Sequence, residues 1–223
     1  FVNFLKELGY EPIIITLAKS AMYRYNPNHV EDTLGLEIRE NNIIVEVDSE
    51  LKHSNEKSRV KSFIDTFLSP NGIEAKYWRN NFNEVISKCI AEYKPQILFV
   101  TAPPFSIVEL AVEASKKYNL PLVTDLRDAW TNWFTAPYPT FFHYLYKRSK
   151  ERYGLKNSTL VTVTSKQTIS DFISLNPSID GSIYRYLPNG YNGQLKEWVN
   201  ELGKKDVIKV GYVGSFYFTQ KTR

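Results

Sequence analysis

Asp125, Arg127 and Asp128 stand within four residues of one another, after the run Leu122-Val123-Thr124 and just ahead of Trp130. A guanidinium set between two carboxylates can hold one of them, or a phosphate, or a sugar hydroxyl. The group reads either as a ligand site or as an internal Arg–Asp salt bridge that fixes a loop. Earlier in the chain, Ile97 to Val100 are apolar, Thr101 is polar, and Pro103 and Pro104 prevent a strand from continuing. Thr101 to Pro104 then turn toward a helix whose N–H groups and positive dipole end favour an anionic or hydroxyl-rich ligand. The competing reading is a rigid connection with Thr101 as a helix cap. Asn189 and Gly190, in Pro188-Asn-Gly-Tyr191, permit left-handed backbone in a tight turn and either line a cleft or do nothing more. Gly214, in Val210-Gly-Tyr-Val-Gly214, would let backbone approach a phosphate.

Other chemistries find no pattern. His29, His53 and His143 are far apart and read as surface or loop histidines, with no metal-ligand spacing. Cys89 is the single cysteine, which excludes a disulfide framework or a CxxC site, fits a reducing, cytoplasmic compartment, and reads as a small packed residue. No GxSxG, Walker loop or GxGxxG occurs.

The elements that must position these residues alternate between the two regular periods. A helix carrying Phe1, Phe4, Leu5 and Leu8 is stopped by Gly9, and residues 11–17 read as a strand. Further strands are expected at 42–47, 97–101, 122–125 and 159–164, with helices at 56–68, 81–93, 105–118, 140–153 and 166–173. Ile107, Leu110, Ala111 and Ala114 fall at i, i+3, i+4 and i+7, the spacing of one buried helix face. Strands separated by helices pair in parallel, so the expected fold is α/β: a doubly wound, mostly parallel, Rossmann-like sheet flanked by helices. Ligands of such sheets bind beyond the carboxyl ends of the strands, which is where Thr101, Asp125, Arg127 and Asp128 fall. From residue 183 the rhythm breaks: a strand begins at Tyr184, Pro188-Asn-Gly190 turns, and a polar stretch follows. A new strand at 208–214 suggests domains at 1–206 and from 207 onward, the second only begun by Arg223.

The chain has 223 residues, 43% hydrophobic and 14% aromatic, enough for one sizeable core and no case for disorder. Lys and Arg exceed Asp and Glu by 28 − 24, or +4, too mild to imply nucleic acid without a concentrated patch. No apolar run approaches the roughly 20 residues that span a bilayer. Because the chain opens at Phe1 inside a helix, it reads as a piece of a longer protein.

Six segments, in order, carry a family resemblance: Leu5-Lys-Glu-Leu-Gly-Tyr-Glu-Pro-Ile-Ile-Ile-Thr16; Pro70 with Trp78; Tyr93-Lys-Pro-Gln-Ile-Leu-Phe-Val-Thr-Ala-Pro-Pro104; Leu120-Pro-Leu-Val-Thr-Asp-Leu-Arg-Asp-Ala-Trp130; Pro188-Asn-Gly-Tyr191; and Val210-Gly-Tyr-Val-Gly-Ser215. Together they resemble the acceptor-binding N-terminal half of bacterial family 4 glycosyltransferases of the two-domain GT-B fold. The resemblance implies retaining transfer of a sugar from a nucleotide-sugar to a saccharide or lipid-linked acceptor in cell-surface polysaccharide synthesis. It implies no metal and no cofactor beyond the nucleotide-sugar co-substrate. Asp128 and Arg127 take the catalytic places, Asp128 orienting the acceptor hydroxyl and Arg127 stabilising charge. Thr101, Pro103, Asp125, Trp130, Asn189 and Gly190 fall at the acceptor side, and Gly214 at the donor diphosphate. The family's first strand and glycine-rich loop would precede Phe1 and its donor-binding Glu-x7-Glu would lie far beyond Arg223. Glu84 and Glu92 share that spacing by chance, inside a first-half helix. Many relatives carry His-Asp where Arg127-Asp128 stands, so the role carries over more directly to Asp128. A piece lacking the donor domain would not catalyse transfer alone. The rival reading is a non-catalytic α/β module that binds a ligand or protein at the same strand edge.

From Trp130 to Tyr153 the chain interleaves aromatics with Lys147, Arg148, Lys150 and Arg152. That composition suits either the inner face of an anionic membrane, where a lipid-linked acceptor is presented, or a helix packing its rings inward.

Overall fold

The computed structural model describes residues 2–25, 33–49, 67, 69, 71–72, 74–132 and 138–190. Helix α1 (Val2–Glu7) ends where expected, at Gly9, whose φ of 83° is open only to a residue without a Cβ penalty. The N–H of Gly9 donates to Lys6 O and that of Tyr10 to Leu5 O, both at 2.9 Å, so the helix's last carbonyls are satisfied before the chain enters β1 (Ile13–Leu17). Helices α2 (Lys19–Tyr25) and α3 (Thr33–Asn41), which the sequence pattern did not single out, lead to β2 (Ile43–Val47). Strand β2 lies parallel to β1 in the register Ile13↔Ile43 to Leu17↔Val47.

The second half alternates as expected: α4 (Glu74–Tyr93), β3 (Leu98–Ala102), α5 (Ile107–Tyr118), β4 (Leu122–Leu126), α6 (Phe141–Lys156), β5 (Leu160–Val163), α7 (Lys166–Leu175) and β6 (Tyr184–Tyr186). These strands form a parallel sheet in the order β3-β4-β5-β6. The architecture is therefore α/β, with parallel sheets flanked by helices. Among the described residues the ladders make two sheets rather than one: β1 pairs only with β2, and β3 only with β4. Strand β3 accordingly alternates half-buried with exposed positions, Phe99 facing solvent, as an outer strand does.

Helix α5 bridges the two cores. Val108, Ala111 and Val112 pack with Leu122, Leu126, Trp130, Leu155, Val161, Val163 and Phe172, while Leu110 and Ala114 pack with Val47, Ala75, Phe82 and Ile86 of the other cluster. Its apolar surface is broader than the single face expected from Ile107, Leu110, Ala111 and Ala114, and Ile107 itself is only half-buried. A helix covered on two sides needs apolar residues on both. It closes at Asn119, whose left-handed backbone (φ 52°) ends the helix before Pro121.

The chain divides into two compact units, Phe1–Pro188 and Asn189–Arg223. The expected helix at 56–68 lies outside the described residues except for Phe67, as do the strand at 208–214 and the boundary at 206/207. No helix among the described residues is long and apolar enough to cross a membrane.

Candidate functional site

The parallel register sets Thr101, Asp125 and Thr162 in one row across β3, β4 and β5. Residues paired in a parallel ladder project to the same face, so the two hydroxyls flank the carboxylate. Thr162 donates to Asp125 Oδ1 at 2.5 Å and Thr101 to Oδ2 at 3.0 Å. Arg127 Nε, one bend beyond the strand, donates to the same Oδ2 at 2.7 Å. Asp125 is 1% exposed. A carboxylate so buried is tolerable only when paired and hydrogen-bonded, and here three donors meet it, one of them a cation.

Asp125 thus takes the internal salt-bridge reading: it turns into the protein and holds Arg127 rather than a ligand. Arg127 is fixed at its backbone as well, its N–H donating to Ala102 O at 2.9 Å and its carbonyl accepting from Thr164 at 3.0 Å. Its side chain stays 29% exposed. Asp128, beside it, is exposed and has no hydrogen-bond partner among the described residues. The carboxyl edge of β4 therefore presents a braced cation next to an open carboxylate. Such a pair can hold an anionic oxygen at the guanidinium and take a hydrogen bond from a hydroxyl at the carboxylate.

Pro103 and Pro104 are exposed on the same edge, in a bend with cis bonds at Ala102–Pro103 and Pro103–Pro104. Thr101 is no helix cap, since its hydroxyl is turned to Asp125 and Ser106 occupies the N-cap of α5. The Ser106 hydroxyl instead serves the start of α4, accepting from Ala75 N–H at 3.2 Å while donating to Glu74 Oε2 at 2.9 Å.

Trp130 does not join this edge. It is 0% exposed, stacked on Phe105 with ring centroids 5.0 Å apart, and its indole N–H donates to Asn71 Oδ1 at 2.8 Å. The ring is backed by Gly154, where an added Cβ would lie 3.1 Å from it. A ring enclosed in this way has no surface to offer an acceptor, and its role is to anchor the loop after β4. Thr131 extends the anchor through its N–H, which donates to Glu151 Oε2 at 2.8 Å. Glu151 is wholly buried and also accepts from Arg148. Tyr138 donates to Thr131 O at 2.7 Å, and burial first, then the Glu151 charge, pushes its phenol up to about 12. Burial likewise pushes the Lys147 ammonium down, between the rings of Phe105 and Tyr138.

The aromatic–basic segment therefore divides. Trp130 is core, Tyr138, Tyr144 and Tyr153 are half-buried, and Phe141, Phe142 and Tyr146 are exposed, Phe142 at 79%. Trp133 and Phe134 lie outside the described residues.

Asn189 and Gly190 are exposed and belong to the second compact unit; neither adopts the left-handed backbone that both permit. Gly214 lies outside the described residues, as do His29 and His53. His143 is buried rather than a surface or loop histidine. Its Nε2 faces Phe67 O at 2.8 Å, and a carbonyl can only accept, so Nε2 carries a proton and Nδ1 is left to meet the Thr140 hydroxyl at 2.6 Å. Cys89 is buried, as expected, and burial raises its thiol. Glu84 and Glu92 both lie on α4, where Glu84 pairs with Lys88. No group of three His, Cys, Asp or Glu side chains comes together as a metal site among the described residues.

Thr162, Thr164, Asn71 and Glu151 escaped the sequence reading. Threonines at alternate positions closing a strand are a faint signal for the first two, and a glutamate among Lys150 and Arg152 looks like part of a solvated face. The chain matches no protein-family model and no curated protein.

Proposed function

We propose that this chain is the acceptor-binding part of a retaining, nucleotide-sugar-dependent glycosyltransferase. The observation that carries the reading is the braced Arg127 beside the open Asp128 at the carboxyl edge of β4, held from behind by Asp125, Thr101 and Thr162. Retaining transfer develops negative charge on the departing diphosphate and needs a hydrogen-bond acceptor at the incoming hydroxyl. In this reading Arg127 offsets the first and Asp128 orients the second. A guanidinium that is already positioned loses little freedom on meeting the leaving group, which is how fixed charge lowers a barrier. Asp125 acts as a positioning residue. The donor is a nucleotide-sugar held by a second domain, the acceptor is a saccharide or lipid-linked saccharide, and no metal takes part.

The test is a screen of nucleotide-sugars for hydrolysis and transfer, made with the two-domain protein that the proposal requires. One donor should be turned over, and Asp128→Ala should lower transfer by about 10²–10⁴-fold while leaving the fold intact. Wild-type turnover in Asp128→Ala would remove that residue from the mechanism. A folded two-domain protein inert toward every donor would leave a ligand-binding module in place of the enzyme.

A further inference from the structure

Beside the strand edge lies a cavity of about 280 Å3, whose lining includes Asn71, Lys76, Arg79, Ser106, Glu109 and Tyr146. We infer that it is a binding site for one neutral sugar ring, recognised through a pair of neighbouring hydroxyls.

The polar groups of its wall are fixed from behind. Asn71 accepts the Trp130 indole N–H on Oδ1 and donates from Nδ2 to Glu109 Oε1 at 2.8 Å. Glu109 Oε2 accepts from Lys150 at 2.6 Å. Ser106 is held between Glu74 and Ala75 N–H. Asn71 and Ser106 are buried, and the Glu109 side chain nearly so. Each nevertheless keeps capacity for a guest. The Asn71 amide has a second N–H, and each Glu109 oxygen has a second lone pair.

A hydroxyl both donates and accepts, so a vicinal diol can give one proton to Glu109 and accept from Asn71, whereas a simple carboxylate can only accept and an apolar guest can do neither. Arg79 is paired with Glu113 and Glu109 with Lys150, so these two charge pairs are each neutral, while Lys76 adds one cation to the lining. Tyr146, 44% exposed, adds an aromatic surface against which the C–H face of a sugar can pack. The volume lies just under the range of drug-sized pockets, a size that suits one ring.

Trp130 ties the cavity to the site already described. It follows Asp128 by two residues and hydrogen-bonds the amide that lines the cavity wall. The role of this sugar as the acceptor rests on the transferase reading; its binding does not.

The test titrates isotope-labelled protein with the methyl glycosides of glucose, galactose, mannose and N-acetylglucosamine, following the Trp130 indole N–H and the Asn71 side-chain amide by NMR. At least one glycoside should move both signals saturably. Tyr146→Ala, at an exposed position, and Glu109→Gln, nearly isosteric, should each weaken that binding by about ten-fold or more, with the changes in the ligand-free spectrum confined to the neighbours of the substituted residue. The site is overturned by a panel that gives no saturable shift, or by shifts that survive both substitutions at full strength. Saturable binding by a protein that turns over no nucleotide-sugar keeps this site and removes the transferase. Turnover with no glycoside binding here does the reverse.

Discussion

Asp125→Ala tests whether the row of threonines and Arg127 is built around a buried charge. Removing one partner of a buried ion pair typically costs about 3–5 kcal/mol, because the other charge is left uncompensated. Here the Arg127 side chain is 29% exposed and can regain water, which moves the cost toward the lower end. The Thr162 hydroxyl is buried, loses its acceptor, and adds about 1 kcal/mol. The expected loss is about 3 kcal/mol, or a fall in Tm of roughly 6–12 °C for a unit of this size. Urea unfolding followed by tryptophan fluorescence reads it, Trp130 being wholly buried in the folded protein. The partner substitution sharpens the test. Thr162→Val keeps the shape and should cost about 1–2 kcal/mol in the wild type, where it takes a donor from a carboxylate. In the Asp125→Ala background the same change removes an orphaned hydroxyl and should restore stability, so the two effects couple with opposite sign. A loss below about 1 kcal/mol for Asp125→Ala, or a Thr162→Val cost that is equal in both backgrounds, refutes the argument.

Thr140 caps α6, its side chain accepting from the His143 N–H while also meeting the His143 ring. Thr140→Ala should lose about 1 kcal/mol and Thr140→Ser most of it regain, measured by the urea midpoint. Burial, reinforced by the Glu151 charge, raises both Tyr138 and Tyr184 to about 12, so folding favours their neutral forms. Their contribution to stability is complete below the ordinary tyrosine value of about 10 and is lost as pH rises through about 12. The urea midpoint should therefore fall across that alkaline window, and Tyr138→Phe with Tyr184→Phe should flatten the fall; an unchanged slope in the double variant would contradict it. Because the Tyr184 hydroxyl is buried with no hydrogen-bond partner among the described residues, Tyr184→Phe alone should cost nothing at neutral pH.

Periodicity and turn chemistry along the chain determined the alternation of strands and helices from Leu98 to Tyr186, the stop at Gly9, and the delivery of polar residues to strand ends. These depend on backbone preferences and on residues within a turn or two of each other, which a linear reading contains. What each polar residue does was decided elsewhere. Asp125 meets Thr101 and Thr162 across 24 and 37 positions, and only the parallel register sets them in one row. Trp130 and Asp128 are two residues apart, yet one is enclosed between Phe105 and Gly154 and the other faces solvent. The cavity beside them joins Ser106 and Glu109, at the start of α5, to Asn71 and Tyr146 from segments far off in sequence. The separation into two sheets, with α5 between the cores, likewise follows from which apolar surfaces cover one another. Local sequence sets how each segment is shaped; burial and pairing between distant segments set which side chains meet, because those energies exist only once the whole chain is assembled.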